Sequence, residues 1–263
     1  MENNLKIFIT GIFIFSFLST LPNLAVGQEL EDINCAVYFT GVGCPHCANT
    51  DPVILKDKLS EYTNLTIIEY EIYQNRENAP LLEKYSNKFN TGLGIPNIIF
   101  GVDNTITGDR SIINNIDKKI EERKNGICPL LNESLPFSEL NLNKIPGKPK
   151  IWIDEKVLVR TGEGITPDEY LKKLLLKEPE NVIEDIKEKN VKPEPVALSG
   201  SEVNFKNAVQ MEGWKLQWER GQTEDEDNVN GSQENKSQVD TNLLLIIGIL
   251  IIFVLIAGWI RKR

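Results

Sequence analysis

The sequence predicts an α/β fold with a central mixed β-sheet flanked by helices. Two apolar runs, residues 35–39 and 65–73, are rich in β-branched and aromatic residues, as buried strands are. A helical pattern at residues 44–62 separates them and would return the chain in the same direction, so the two strands should be parallel. A strand at 97–102, followed by a turn into 105–107, predicts an antiparallel hairpin.

Each predicted helix carries a local signal. Pro52 should bend the first helix, because proline removes one helical hydrogen bond and crowds the preceding turn. The second helix, residues 77–89, and the third, residues 111–123, carry apolar residues at helical spacing. These residues are Leu81, Leu82 and Tyr85 in the second helix and Ile112, Ile113, Ile116 and Ile120 in the third.

Composition and net charge indicate a globular protein that does not bind nucleic acid. With 263 residues, 41% of them hydrophobic, the chain can bury at least one sizeable core. The formal net charge is −9, and the sequence has no basic stripe that could neutralise phosphates. We therefore expect no nucleic-acid partner.

Residues 1–27 have the pattern of a secretory signal peptide. Lys6 precedes an apolar run over residues 7–18, and small residues follow at 25–27. An uncleaved anchor is the alternative, because the positive charge before the run is a single lysine opposed by Glu2. In both cases the rest of the chain should face an oxidising compartment, where disulfides persist.

The C-terminal end carries a second membrane signal. Residues 242–260 contain an apolar run long enough to span a bilayer, and three basic residues follow at 261–263. Basic residues beside a span mark the cytoplasmic side, so 261–263 should be a cytoplasmic tail and the bulk of the chain extracytoplasmic. A buried core helix is the alternative. The prediction is a single-pass protein of the cell membrane.

Residues 179–241 have the composition of a linker and an acidic stalk. Lys192-Pro193-Glu194-Pro195 is typical of a stiff linker, and residues 222–240 have almost no apolar side chains. Five apolar residues within this region leave open a small β-structure or an aromatic patch. They are Val203, Phe205, Trp214, Leu216 and Trp218.

The strongest chemical signal is Cys44-Pro45-His46-Cys47, which follows two glycines after the first strand. Cysteines three apart at a helix start can hold two thiols together, with the first sulfur over unpaired backbone N–H groups that stabilise a thiolate. Pro45 suits a first helical position. His46, the only histidine in the chain, would favour the thiolate further and make the disulfide more oxidising. We therefore expect a redox pair.

Two further cysteines, Cys35 and Cys128, stand apart from this motif. A zinc site would need more ligands at motif spacing, and the chain has one histidine, so we expect no metal ion and no cofactor. Cys35 and Cys128 are either free apolar residues or a structural disulfide, because an even cysteine count in an exported protein favours pairing.

The motif resembles the thioredoxin superfamily, and its Cys-Pro-His-Cys form is similar to that of the DsbA-like disulfide oxidants. A second motif, Gly94-Ile95-Pro96, matches the cis-proline loop that lies opposite the active-site disulfide in this family. The resemblance covers about residues 34–123. The spacing between the two motifs leaves no room for the large helical insertion of DsbA-like enzymes.

This resemblance implies a thioredoxin-like domain at residues 28–126. Cys44 would be the nucleophile and Cys47 the resolving thiol. Ile95 and Pro96 would line a peptide-binding face.

Residues 127–178 contain a further strand-turn-strand-helix pattern. Strands are predicted at 148–153 and 157–159, and a helix at 166–177. We favour a ββα extension that packs beside the core, because one repeat is weak evidence for duplication. A degenerate second half of a thioredoxin-like unit is the alternative. A third interpretation makes this hairpin the true end of the core and Gly94-Ile95-Pro96 a chance match.

These patterns together predict a membrane-anchored, extracytoplasmic thiol–disulfide oxidoreductase that oxidises or isomerises disulfides through Cys44 and Cys47. Its expected partners are exported proteins with thiols or disulfides and a membrane redox partner. A disulfide reductase fed by a membrane electron donor is the first alternative. A non-catalytic binding module with a static disulfide is the second.

Overall fold

The structure, a computed structural model, describes residues 33–122, 126–164, 166–183 and 189–221. All of these belong to Met1–Gly221, one of two units into which the chain divides. The predicted signal peptide, the stalk beyond residue 221, the transmembrane helix and the basic tail lie outside the described residues. Within the described residues, the structure has no helix that is both long and apolar enough to cross a membrane.

Strands β1 (Asn34–Thr40) and β2 (Leu65–Glu71) form the parallel centre of the sheet. Every residue of both strands is buried. The crossover between them begins with helix α1 (Pro45–Pro52), as the parallel direction requires. The predicted strand-helix-strand unit is confirmed.

Pro52 ends the regular part of helix α1. The chain continues as a π-helical segment (Val53–Lys58) and finishes with one α-helical turn (Leu59–Glu61). Proline has no N–H to donate to the carbonyl of Ala48, so the α-type hydrogen bonding is interrupted there. The predicted irregularity at Pro52 therefore takes the form of a change in helix type.

A hairpin and two helices complete this part of the fold. Helix α2 (Ala79–Phe89) precedes strands β3 (Asn97–Gly101) and β4 (Asn104–Thr107), and helix α3 (Asp109–Glu122) follows them. Strand β3 pairs antiparallel with β1, and β4 pairs antiparallel with β3. These elements agree with the predicted ones to within a few residues.

The extension adds a second hairpin to the same sheet. Short strands β5 (Ile127–Cys128) and β6 (Leu135–Pro136) pair with each other, and β7 (Lys150–Ile153), β8 (Lys156–Arg160) and helix α4 (Asp168–Leu176) follow. Strand β7 pairs antiparallel with β2, on the side of the central pair opposite to β3. The extension therefore lengthens the sheet rather than packing beside it.

The C-terminal part of the described chain is also β-structure. It contains β9 (Lys189–Asn190), β10 (Val196–Leu198), β11 (Ser201–Val203), β12 (Phe205–Met211) and β13 (Trp214–Arg220). Strands β10 and β11 form a separate hairpin. The other three join the main sheet, whose order is β4-β3-β1-β2-β7-β8-β13-β12-β9.

This finding corrects the predicted linker for residues 189–221, and the predicted stalk at 222–241 lies outside the described residues. Strand β13 alternates apolar and polar residues, and both strands bury their large apolar side chains in the core. Of the two alternatives for the apolar residues here, β-structure is the correct one. The buried members are Phe205, Val209, Met211, Trp214, Leu216 and Trp218.

Different helices cover the two faces of the sheet. Along β1, Val37 and Phe39 point to one face and Ala36 and Tyr38 to the other, because side chains alternate along a strand. Helices α2 and α4 pack on the first face, and α1 and α3 pack on the second. A mixed sheet between two helical layers is an α/β architecture, so the predicted fold class is confirmed at this level.

A buried disulfide joins Cys35 in β1 to Cys128 in β5. Their Cα atoms are 4.8 Å apart. The structural disulfide is therefore the correct one of the two interpretations of these cysteines. It ties the start of the extension to the first strand of the sheet across a separation of 93 residues.

Candidate active site

The connection from β1 to α1 depends on two glycines. Gly43 has a φ of +88°, a conformation that other residues adopt only with strain. A Cβ at Gly41 would lie 2.8 Å from the Tyr73 ring and 2.9 Å from Cδ1 of Ile95. Only glycine therefore allows this loop to lie directly against the segments that carry Tyr73 and Ile95.

Cys44 caps the N-terminus of helix α1. Its backbone is extended, with φ −80° and ψ 119°, and its Sγ accepts the backbone N–H of Cys47 at 3.3 Å. Pro45 is the first helical residue, where its missing N–H costs no hydrogen bond. The sulfur of Cys44 thus lies at the positive end of the helix, as the sequence predicts.

The two cysteines of the motif are free thiols in this structure. Cys47 is fully buried, and Cys44 is 4% exposed. Burial and the neighbouring Cys44 thiol raise the pKa of Cys47 to about 12, although the Thr40 hydroxyl and the Gly41 backbone N–H both favour its thiolate. Cys47 therefore holds its proton at neutral pH.

A buried carboxylate, Asp51, lies one helical turn after Cys47. Its Oδ1 accepts hydrogen bonds from Tyr38 Oη at 2.7 Å and Thr40 Oγ1 at 2.6 Å, and its Oδ2 accepts from Ser199 N at 2.8 Å. Burial raises the pKa of Asp51 to about 6, against the lowering effect of these hydrogen bonds. Sequence reasoning missed this residue, although the i,i+4 spacing from Cys47 places both on one face of α1.

Glu69 in β2 is a second buried carboxylate near Asp51. The negative charge of Glu69 contributes to the raised pKa of Asp51. Glu69 itself is paired, because Lys150 Nζ lies 2.7 Å from its Oε1 and Trp152 Nε1 donates to its Oε2 at 2.6 Å. Both partners come from β7, so the extension supplies a positive charge beside a carboxylate that acts on Asp51.

His46 points away from the buried groups and is 69% exposed. Its Nδ1 lies 3.1 Å from Oδ2 of Asp109, the first residue of helix α3, and Asn49 Nδ2 donates to the same oxygen at 3.0 Å. His46, Asn49 and the backbone N–H of Arg110 lower the pKa of Asp109 to about 2. Nothing in the sequence indicated Asp109, because its partners are about 60 residues away.

The loop before β3 carries the second motif. The Ile95–Pro96 peptide bond is cis, as the resemblance implies. The Pro96 carbonyl accepts the backbone N–H of Gly108 at 2.8 Å, and the Ile95 side chain lies against Gly41 of the cysteine loop. Two large apolar side chains on these segments are exposed, Tyr73 by 51% and Leu93 by 64%.

The turn between β10 and β11 contacts the start of α1. Ser199 Oγ donates to the carbonyl of Cys44 at 2.7 Å, and the Ser199 N–H binds Asp51. Sequence patterns do not indicate this contact, because Ser199 lies in the region whose composition predicts a linker.

The structure therefore brings together Cys44, Pro45, Cys47 and Ile95 of the predicted site and adds Thr40, Asp51 and Ser199. His46 instead lies at the surface, where it pairs with Asp109. The Cys35–Cys128 disulfide is separate from this group. Cys35 lies at the opposite end of β1, roughly 17 Å along the strand from Thr40.

In the described ranges, no three His, Cys, Asp or Glu side chains are grouped so that they could hold a metal ion. The chemistry that the arrangement can perform is that of two adjacent thiols with a nearby buried carboxylate. The chain matches no protein-family model, no curated protein and no solved structure.

Proposed function

We propose that this chain is a thiol–disulfide oxidoreductase with Cys44 as nucleophile and Cys47 as resolving cysteine. The observation that carries the proposal is the position of the two free thiols in the first turn of α1, with Cys44 Sγ over the N–H of Cys47. A sulfur that accepts a backbone N–H at a helix N-terminus is stabilised as a thiolate, which is the reactive form in disulfide exchange.

The surrounding fold supports a thioredoxin-like assignment. A parallel strand-helix-strand unit carries the cysteines, and an antiparallel hairpin and a helix follow it. A cis-proline precedes the hairpin, and its neighbour Ile95 lies against the loop that leads into the motif. Strands β7, β8, β12 and β13 extend this arrangement on the far side of β2.

In the oxidising direction, a substrate thiolate attacks Cys44 of the Cys44–Cys47 disulfide. A bond forms between the substrate sulfur and Cys44, and the electron pair of the broken bond goes to Cys47. A second substrate thiolate then attacks the first substrate sulfur, and Cys44 leaves as a thiolate. The substrate gains a disulfide, and the cysteine pair of the enzyme is reduced by two electrons.

The high pKa of Cys47 requires a proton donor and acceptor close to it. A Cys47 thiolate formed in the first step takes up a proton, and in the reducing direction the Cys47 thiol must release one before it attacks. Asp51 can fill this role, since the Thr40 hydroxyl contacts both Cys47 and Asp51. With a pKa of about 6, Asp51 can gain or lose a proton near neutral pH.

The direction of electron flow follows from the reduction potential of the pair. His46 in the motif favours the reduced form and hence an oxidase or isomerase. The carboxylate of Asp109, 3.1 Å from the imidazole, offsets part of any positive charge on His46. We therefore keep oxidation or isomerisation as the proposed direction, with reduction fed by a membrane electron donor as the alternative.

The proposed substrates are exported proteins that carry thiols or disulfides. The exposed Tyr73 and Leu93, next to the segments that hold Gly41 and Ile95, offer apolar contacts for a peptide beside Cys44. Membrane anchoring by residues 242–260, an extracytoplasmic location and a membrane redox partner are also part of the proposal. They rest on the sequence pattern alone.

A second candidate is a binding module with a static cysteine pair. The observation that favours it is the burial of both thiols, because a buried pair resists external thiols. The two candidates differ in reactivity, which an experiment measures directly.

The test is equilibration of the full chain, purified in detergent, with glutathione buffers of defined potential, followed by acid quenching and alkylation. An oxidoreductase should equilibrate within minutes, and its midpoint gives the direction of electron flow. Cys44→Ala should abolish exchange, and Cys47→Ala should accumulate a mixed disulfide at Cys44. Full exchange in the Cys44→Ala variant, or no exchange in the wild type, would refute the proposal.

A further inference from the structure

The turn between β10 and β11 binds two parts of the proposed redox site at once. Ser199 Oγ donates to the carbonyl oxygen of Cys44 at 2.7 Å, and Ser199 N donates to Asp51 Oδ2 at 2.8 Å. Ser199 is itself buried. The sequence separations are 155 and 148 residues, so these bonds join the end of the described chain to its beginning.

The backbone at Gly200 allows this close contact. Gly200 has a φ of +86°, and a Cβ placed there would lie 2.8 Å from the Cβ of Ala48 in helix α1. Any other residue would strain the turn and push it away from the helix. The position therefore calls for glycine on two independent grounds.

The hairpin that carries the turn is anchored in the core. Val196, Leu198 and Val203 are buried in the same cluster as Ile54 and Leu55, which follow helix α1. The hairpin therefore holds Ser199 in a defined position against α1.

The hydrogen bond from Ser199 Oγ to the Cys44 carbonyl affects the orientation of the proposed nucleophile. The carbonyl of Cys44 already accepts the first helical hydrogen bond, from Ala48 N at 3.0 Å. A second donor on this carbonyl fixes the peptide plane between Cys44 and Pro45. Because Pro45 has no N–H, the plane has no donor of its own to hold it. The orientation of this plane determines how Cys44 Sγ faces the N–H of Cys47.

The hydrogen bond from Ser199 N to Asp51 affects the ionisation of the Asp51 carboxyl group. An N–H donor stabilises the carboxylate over the neutral acid, which lowers the pKa of Asp51. The other groups that face Asp51 are Tyr38 and Thr40 from β1 and, through its charge, Glu69 from β2. Glu69 is balanced by Lys150, so burial, which raises the pKa of Asp51, is opposed mainly by the neutral donors, which lower it.

We infer that Ser199 is a positioning residue of the redox site, which orients Cys44 through its hydroxyl and holds the Asp51 carboxylate through its N–H. The inference rests on the proposed function, since it assigns Ser199 a role in exchange at Cys44 and Cys47. It makes the β10–β11 hairpin a part of the active site.

Four variants of the full chain separate the two bonds. Ser199→Ala removes the hydroxyl bond and keeps the N–H bond, and Ser199→Thr keeps both. Gly200→Ala moves the whole turn away from Ala48. Ser201→Ala is the matched control, because Ser201 is an exposed serine in the same hairpin.

The readouts are the rate of exchange with glutathione, the alkylation rate of Cys44 and the ionisation of Asp51. Asp51 is followed by carbon NMR of labelled aspartate carboxyls and assigned with Asp51→Asn. Ser199→Ala should slow exchange and alkylation about three- to tenfold, the effect of one hydrogen bond, and Ser199→Thr should restore both rates. Gly200→Ala should also move the ionisation of Asp51 to higher pH.

If the turn only stabilises the fold, Ser199→Ala should change thermal stability but not the two rates. If Ser199→Ala loses thermal stability but keeps the exchange and alkylation rates of the wild type and of Ser201→Ala, the inference is wrong. If the wild type does not exchange with glutathione at all, the proposed function fails. The alkylation rate of Cys44 and the ionisation of Asp51 need no turnover, so in that case they still show whether Ser199 orients Cys44 and holds the Asp51 carboxylate.

Discussion

The hydroxyl of Thr40 donates a hydrogen bond of 2.6 Å to Asp51. The same hydroxyl contacts the thiol of Cys47, so one side chain at the end of β1 joins a carboxyl with a pKa of about 6 to a thiol with a pKa of about 12. A proton that leaves Cys47 can therefore reach Asp51 through a single hydroxyl.

Asp51→Asn should slow the step in which Cys47 resolves a mixed disulfide, by about 100-fold at pH 7, because the variant lacks the proton acceptor. The wild-type rate of this step should rise through about pH 6 as Asp51 ionises, and the variant should lack that rise. The measurement is stopped-flow resolution of a mixed disulfide with a chromogenic thiol. Asp57→Asn, an exposed carboxyl that follows the same helix, should behave as wild type. An equal pH profile in wild type and Asp51→Asn would exclude Asp51 as the acceptor.

Asp51 should also make folding stability depend on pH. Its pKa is about 6 in the folded protein and 3.8 in an unperturbed aspartate, so the folded state binds this proton more tightly. Stability should therefore fall as pH rises from about 4 to about 6, by roughly 3 kcal/mol from this group. Urea unfolding at several pH values measures the effect. The difference between wild type and Asp51→Asn isolates it, and parallel curves for the two proteins would contradict the prediction.

His46→Ala should make the cysteine pair less oxidising. Under the proposed function the exposed His46 side chain stabilises the reduced pair, so its removal should change the equilibrium constant with glutathione by a few-fold. Asp109→Asn should change the constant in the opposite direction, because it removes a negative charge 3.1 Å from the imidazole. Both effects should shrink at high salt. Changes of the same sign in the two variants would show that Asp109 does not act through charge.

The Cys35–Cys128 disulfide should contribute to stability and not to exchange. It closes a loop of 93 residues, and replacing both cysteines by alanine should lower the free energy of unfolding by about 3–5 kcal/mol. The rate of exchange at Cys44 should stay within about twofold of wild type in conditions where the variant is folded. Urea unfolding and glutathione exchange measure the two quantities. A large loss of exchange in the folded variant would place this disulfide in the catalytic pathway.

Tyr73 and Leu93 should matter for protein substrates and not for glutathione. Replacing either with serine removes an exposed apolar surface beside the cysteine loop, so KM for a reduced unfolded protein should rise about three- to tenfold. Exchange with glutathione should be unchanged. Val102→Ser, which alters an equally exposed apolar residue in the β3–β4 turn, is the matched control. An equal rise in KM for Val102→Ser would show that general surface apolarity, rather than this face, binds the substrate.

Short sequence patterns were sufficient to predict the helix start at the cysteine motif, the interruption of helix α1 and the central strands. Cys44 and Pro45 were placed at a helix start because capping preferences act within a few residues. Pro52 was expected to interrupt α1 because the missing N–H is a property of the residue itself. The strand pair and the hairpin followed from apolar runs separated by turn residues.

The residues that the sequence did not indicate act across long separations. In the sequence, Asp51 looks like any polar residue of a helix. Only the folded structure brings the donors Tyr38, Thr40 and Ser199 to its carboxylate. Asp109 resembles an ordinary acidic residue at a helix start. For strands β12 and β13, β-structure is only one of two alternatives that the sequence leaves open, because their charged residues and the prolines before them are also typical of a linker. Their apolar faces are buried only when β13 pairs with β8.

The position of Ser199 has a consequence for the order in which the protein is made. Ser199 is synthesised 155 residues after Cys44. At about 5–20 residues per second, this interval is roughly 8–30 seconds. During that time the strands around the cysteine motif can pair while the carbonyl of Cys44 and the carboxylate of Asp51 still lack their bonds from the hairpin. A nascent chain therefore carries the two thiols well before it carries the complete redox site.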